Sequence, residues 1–344
     1  MAEQRGIRGR MLRRLAGLGI TLVGLYVVWP SLLAAFSSWD ELGQIRPAWF
    51  AVTLLLEAVS YLCVWTLLRV CLRTGRWFAV ATSQLASNAF SRVVPGGAAA
   101  GGALQFSMLV GAKAPAAAVG SGLTVMTVLS TATLAALPIV ALLALIVSGA
   151  AVPQDLARVA WLGAGMAGVL LALGALFLLT DRPLAVVGRT VAWVLARVRP
   201  RRAAAAADLP GRLLAERDEV RTMLQSRWLL ALAASVGRVT FDYLALVAAI
   251  AATGSAARPS LVLLAYAASM VLGMIPITPG GLGFVEAGLT AMLGLAGLPA
   301  PGATLATLAY RMVSYWLPLP AGAVAYALFR RRYGAPRQPA VDRG

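Results

Sequence analysis

Val94-Pro95-Gly96-Gly97 interrupts one long apolar stretch of the sequence, and Thr278-Pro279-Gly280-Gly281 interrupts another 184 residues later. Proline removes a backbone donor and paired glycines weaken a helix. Each site therefore predicts the end of one half-helix and the start of a second. Open backbone at membrane depth survives only where protein buries it or where it lines a wet cavity. Two such breaks in matching halves of a membrane chain point to a transporter site.

The surrounding composition supports that setting. With 60 % hydrophobic and only 12 % charged residues, the 344-residue chain has too little polar surface for a soluble fold. Its net charge of +17 does not signal nucleic acid, because the arginines gather between apolar segments instead of along a soluble face. The absence of His and the presence of two cysteines only, Cys63 and Cys71, give no expectation of a metal or cofactor. Eight residues apart on one helix, the cysteines would lie roughly 12 Å from each other, too far for a disulfide.

The expected fold is an all-α polytopic membrane protein. Six full spans fit, at 15–38, 47–72, 115–149, 158–180, 228–253 and 303–329, with Pro138 able to bend the third. The basic tail 1–14 before the first span resembles a signal peptide, but the run that follows is long enough to be an uncleaved span. The apolar stretches 77–111 and 260–298 read as re-entrant hairpins with halves of about 15 residues, too short to cross. A cytoplasmic N-terminus places 24 of the 30 Lys and Arg residues inside and only Arg46, Arg158 and Arg258 outside. Both tails, 1–14 and 330–344, and loop 181–227 are then cytoplasmic, within one transmembrane domain over 15–329. Part of that loop, 183–199, could lie on the inner leaflet. The hairpins would enter from opposite sides, making an inverted repeat; the plainer alternative is two unrelated Pro-Gly loops.

Ionisable residues inside apolar segments are the candidates for function, since each is costly if unpaired. They are Glu57, Asp242 and Glu286 with Arg92, Arg238 and Arg311. Gln84, Ser87, Asn88, Ser91 and Arg92 share one helical face, which predicts a polar stripe toward a cavity. Arg92, beside Asn88, Gly96 and Gly97, suits a phosphate; the alternative is a structural Arg neutralised by Glu57. Pro279, Gly280 and Gly281 open a half-helix whose N–H groups favour an anion. Glu286 could cap that helix or pair with Arg311. Arg238 and Asp242, four apart, could pair within their helix. Glu57 matches Asp242 at the repeat offset, which suggests charge or proton coupling. Asp40-Glu41, outside the first span, is the main hook for an enzyme reading, a lipid-linked glycosyl or phosphoryl transferase.

Asn88-Ala-Phe-Ser-Arg-Val-Val-Pro-Gly-Gly97 and Ile275-Pro-Ile-Thr-Pro-Gly-Gly-Leu-Gly-Phe-Val-Glu-Ala-Gly288 resemble the two signature regions of the lysylphosphatidylglycerol synthase transmembrane, or flippase-like, family. The likeness covers roughly 15–330. Many members carry an acid and a basic residue after the first Pro-Gly; this chain has Ala98 to Gly102 and then Gln105. The resemblance implies movement of anionic phospholipids or lipid-linked intermediates between leaflets, with membrane lipids and envelope-biosynthesis enzymes as partners. The chain ends at Gly344, so the separate synthase domain of bifunctional members, and aminoacyl transfer with it, is not expected. A scaffolding role in an envelope-synthesis complex is a further alternative. High Ala and Arg usage with a single Lys points to a GC-rich bacterial genome, and the expected location is the bacterial cytoplasmic membrane.

Overall fold

A computed structural model of the chain describes residues 46–94, 97–149, 154–180, 186, 189–190, 193, 197, 209–273, 281 and 283–334. The expected span 15–38, Asp40-Glu41, Pro95, Gly96, Pro279 and Gly280 lie outside the described residues, as do the tail 1–14, residues 335–344 of the C-terminal tail and most of 181–208 in loop 181–227. Every regular element among the described residues is helical. In chain order these are α1 (Pro47–Cys71), α2 (Trp77–Val93), α3 (Gly97–Gly111), α4 (Ala116–Ser148), α5 (Gln154–Leu179), α6 (Leu209–Ala252), α7 (Pro259–Gly273), α8 (Phe284–Leu295) and α9 (Ala300–Arg311). A π-turn over Met312–Trp316 then leads into α10 (Pro318–Tyr333).

Four stretches are long and apolar enough to cross a membrane: Pro47–Cys71, Ala116–Ser148, Arg227–Ala252 and Ala300–Tyr333. They match four of the six expected spans. The fifth falls on α5, whose Ala160–Leu176 portion is a shorter apolar helix. The count of six is therefore met only in part. Pro138 lies inside α4 without ending it. Arg227 has non-helical angles (φ −142°, ψ 25°), so α6 is two helices joined at the start of its apolar portion.

The described residues divide between two compact units. One is drawn from Met1–Glu57, Ala81–Gly111 and Leu244–Gly344, the other from Ala58–Val80 and Ala112–Tyr243. The second broken segment and most of the first fall in the first unit; residues 77–80 of the first belong to the second.

In the second unit, Leu67 and Cys71 of α1, Val125 of α4, and Ala231 and Ala234 of α6 form a buried apolar cluster. Lipid tails are as apolar as these side chains, so close backbone approach and buried hydroxyls carry much of the association. A Cβ on Gly122 would come within 2.7 Å of Leu72 Cδ2 and 3.0 Å of the Cys71 carbonyl oxygen. Thr133 and Ser235 share a 2.8 Å hydroxyl–hydroxyl bond between α4 and α6. Both cysteines are free, and Cys71 is part of the packed cluster, as their spacing predicted.

In the first unit, the broken segments form two helical hairpins. Gln105 Nε2 donates to Gln84 Oε1 at 2.6 Å. A Cβ on Gly101 would lie 2.8 Å from the Ser87 carbonyl oxygen and from Ser91 Cβ. Contacts converging on the break make α2 and α3 antiparallel. Likewise a Cβ on Gly288 would meet Leu272 Cδ1 at 2.5 Å, and one on Gly273 would lie 3.7 Å from Val285 Cγ2, which sets α7 against α8. With 17, 15, 15 and 12 residues, these helices are individually shorter than a span. At 1.5 Å per residue they reach about 18–26 Å, against a hydrocarbon core of about 30 Å. The last helix packs on the first hairpin: a Cβ on Gly322 would run into Ala89 Cβ and sit 2.5 Å from the Leu85 carbonyl oxygen.

Candidate functional site

Arg92 lies in the last turn of α2, and its contacts are made with a fault in the last helix. In an α-helix the Ser314 carbonyl would accept from the N–H of residue 318. That residue is Pro318, which has no N–H. The neighbouring turn is also widened: the Leu317 N–H reaches back to the Met312 carbonyl at 2.9 Å, five residues away. Arg92 Nη1 donates to the Ser314 carbonyl at 3.0 Å and to the Tyr315 carbonyl at 2.7 Å. The guanidinium thus occupies the place of the missing backbone donor. It also lies 4.6 Å from the centroid of the Tyr315 ring.

Arg311 approaches the same ring, 4.3 Å from its centroid, from one helical turn earlier. Tyr315 is 3 % exposed. Arg311 is joined to Glu286, with both Nε and Nη2 at 2.7 Å from Oε1, and the two side chains are 12 % and 18 % exposed. Glu286 stands in the first turn of α8, after Gly283 at φ 78°, and makes no cap hydrogen bond. Of the two roles open to it, the structure selects the pair with Arg311. Its other oxygen, Oε2, is buried with no hydrogen-bond partner among the described residues.

The polar stripe on α2 has a neighbour that its periodicity did not give: Gln84, Ser87 and Ser91 pack against α3 through Gln105 and Gly101. Close backbone approach and amide pairing are what polar residues do between apolar helices, so the stripe holds the hairpin together. Ser91 Oγ donates to the Asn88 carbonyl at 2.8 Å, and Gly97 begins α3 at φ 44°. Gly281, buried at φ 73°, precedes α8; a Cβ there would sit 2.7 Å from Val285 Cγ2. Glu57 is 7 % exposed on α1. Arg238 and Asp242 belong to the second unit, where the Arg238 carbonyl accepts from Ser60 Oγ at 3.0 Å.

Of the twelve candidate positions, the structure brings together Arg92, Arg311 and Glu286, and it adds Tyr315 and the Ser314 carbonyl, which were not anticipated. The prolines at 318 and 320 were the available signal for the added pair. The three charges about Tyr315 sum to one positive charge. Arg92 engages one of its nitrogens in hydrogen bonds, so Nε and Nη2 keep donors for a further acceptor among the described residues.

Broken helices packed as hairpins, with an arginine-rich cluster on a faulted span, define a multi-pass membrane protein whose polar site is built from helix interruptions. The family model for the lysylphosphatidylglycerol synthase transmembrane region matches residues 14–322, and the chain belongs to that family. No curated protein and no solved structure shows significant similarity to the chain.

Proposed function

We propose that the protein moves an anionic phospholipid or lipid-linked intermediate between the leaflets of a bacterial cytoplasmic membrane, as a carrier and not as an enzyme. The observation that supports this best is the gathering of Arg92 and Arg311 on one buried tyrosine, with a single carboxylate, Glu286, paired to Arg311. An isolated Arg at the bilayer centre costs about 3 kcal/mol on insertion scales, so two held close together call for an anion. Guanidinium groups suit phosphate geometry. Both hairpins are re-entrant in this reading, the termini are cytoplasmic, and the hairpins enter from opposite faces as an inverted repeat. Envelope-biosynthesis enzymes supply or consume the lipid. Glu57, Arg238 and Asp242 balance charge as the carrier moves.

The test is leaflet exchange in proteoliposomes containing headgroup-labelled phosphatidylglycerol, aminoacyl-phosphatidylglycerol or a polyprenyl phosphate. The expected result is exchange of at least one anionic lipid, lost in Arg311→Gln. Failure of folded, inserted protein to exchange any of them refutes the proposal.

A further inference from the structure

Residues 58–154 contain five cations and not one Asp or Glu. Arg92 is one of them; Arg69, Arg73, Arg76 and Lys113 lie in or beside the two short turns that flank the first hairpin, all within the second unit. Arg76 Nη1 donates to the Ala112 carbonyl, which ties the turn before α2 to the turn after α3 and sets Lys113 beside residues 73–76. We propose that these joined turns bind the headgroups of anionic phospholipids, with Arg73, Arg76 and Lys113 as the contact residues.

Two further observations support this site. Arg73 (φ 48°) and Lys113 (φ 65°) are the only non-glycine residues with positive φ among the described residues. Such a position just after a helix is normally given to Gly or Asn, because a β-carbon there is strained. A basic end to α1 is already supplied by Arg69 in its last turn. Helix-dipole complementarity therefore does not account for a second cation held in a strained conformation, and outliers of this kind collect at ligand sites. Arg73, Arg76 and Lys113 are exposed, and the Arg73 and Lys113 side chains have no partner among the described residues.

The anion is a lipid headgroup because of what surrounds the turns. The Arg69 guanidinium lies 3.9 Å from the ring centroid of Trp77, whose side chain is 43 % exposed. Tryptophan anchors at the headgroup level, and apolar helices leave the turns in both directions. A phosphate at that depth belongs to a phospholipid. The inference does not require that the protein transports anything.

The experiment is lipid retention by the full chain in native mass spectrometry, after exposure to phosphatidylglycerol or phosphatidylcholine. The principal variant is Arg73→Gly with Lys113→Gly, which removes both charges while relieving positive φ. Each cation near a membrane surface contributes a factor of about five, so phosphatidylglycerol retention should fall about 25-fold, with phosphatidylcholine unchanged. Arg73→Lys with Lys113→Arg should retain the lipid. Arg73→Asn with Lys113→Asn, which also tolerates the left-handed region, must behave as the glycine pair does, and it carries the test should that pair fail to fold. Unchanged retention in the neutral variants overturns the proposal. Displacement of the lipid by millimolar inorganic phosphate overturns its lipid source.

Discussion

Replacing Arg92 by Met removes two charge-assisted hydrogen bonds to the Ser314 and Tyr315 carbonyls and a ring contact, while keeping a long apolar side chain. Bonds involving a charged group contribute about 1.5–3 kcal/mol each, and an orphaned buried acceptor costs about 1–3 kcal/mol. These overlap, so a loss of about 3 kcal/mol is the working figure. For a chain of this length that is a fall of roughly 6 °C in melting temperature, at about 2 °C per kcal/mol. The cause can be separated from the residue. Pro318→Ala restores the N–H that the Ser314 carbonyl lacks, and in the double variant it should recover about 1–2 kcal/mol of the loss. The assay is thermal melting of purified protein in detergent at one fixed scan rate, for wild type, both single variants and the double. Strict additivity of the two substitutions refutes the claim that Arg92 substitutes for a missing backbone donor. A loss below about 1 kcal/mol in Arg92→Met alone refutes the claim that the contacts matter to the fold.

Gly322→Ala should destabilise by about 1–3 kcal/mol, because its Cβ would strike Ala89 Cβ and the Leu85 carbonyl oxygen. Gly165→Ala, with nothing within 4 Å, should melt close to wild type, and equal melting of the two variants would contradict the packing of α10 on α2. Glu286→Gln raises the net charge about Tyr315 from one positive to two, so anionic lipid should survive stronger detergent washing in this variant; unchanged retention refutes competition between Glu286 and the ligand. Thr133→Val combined with Ser235→Ala in a double-mutant cycle should reveal coupling of about 0.6 kcal/mol, the usual scale for a hydroxyl bond between membrane helices. No measurable coupling would show the bond to be incidental.

What could be read from sequence was what acts locally. Pro-Gly-Gly ends a helix wherever the rest of the chain goes, so the short helices that stop at Val93 and Gly273 and resume at Gly97 and Phe284 were legible. The long apolar runs at 47–72, 115–149, 228–253 and 303–329 were legible for the same reason. The Glu286–Arg311 pair was among the options because both residues stand in apolar surroundings and need opposite charge. The partners of Arg92 were harder to foresee. A main-chain carbonyl has no letter of its own, and Ser314 becomes an acceptor in search of a donor only through a proline four residues later. The stripe on α2 was read as facing a cavity because periodicity gives a face and not its neighbour. Gly101 and Gln105 supply that neighbour.

The π-turn at Met312–Trp316 also sets a phase. One extra residue in a helical ladder rotates everything after it by about 100° relative to what comes before. Arg311 and the Gly322 contact with α2 therefore hold their directions only while that surplus residue is kept. Deleting a single residue from 312–316 would leave composition and hydropathy almost untouched, yet turn α10 by more than a quarter of a revolution and swing Gly322 away from Ala89. In this part of the chain, length counted to the residue is itself information, and an insertion or deletion is a heavier change than almost any substitution.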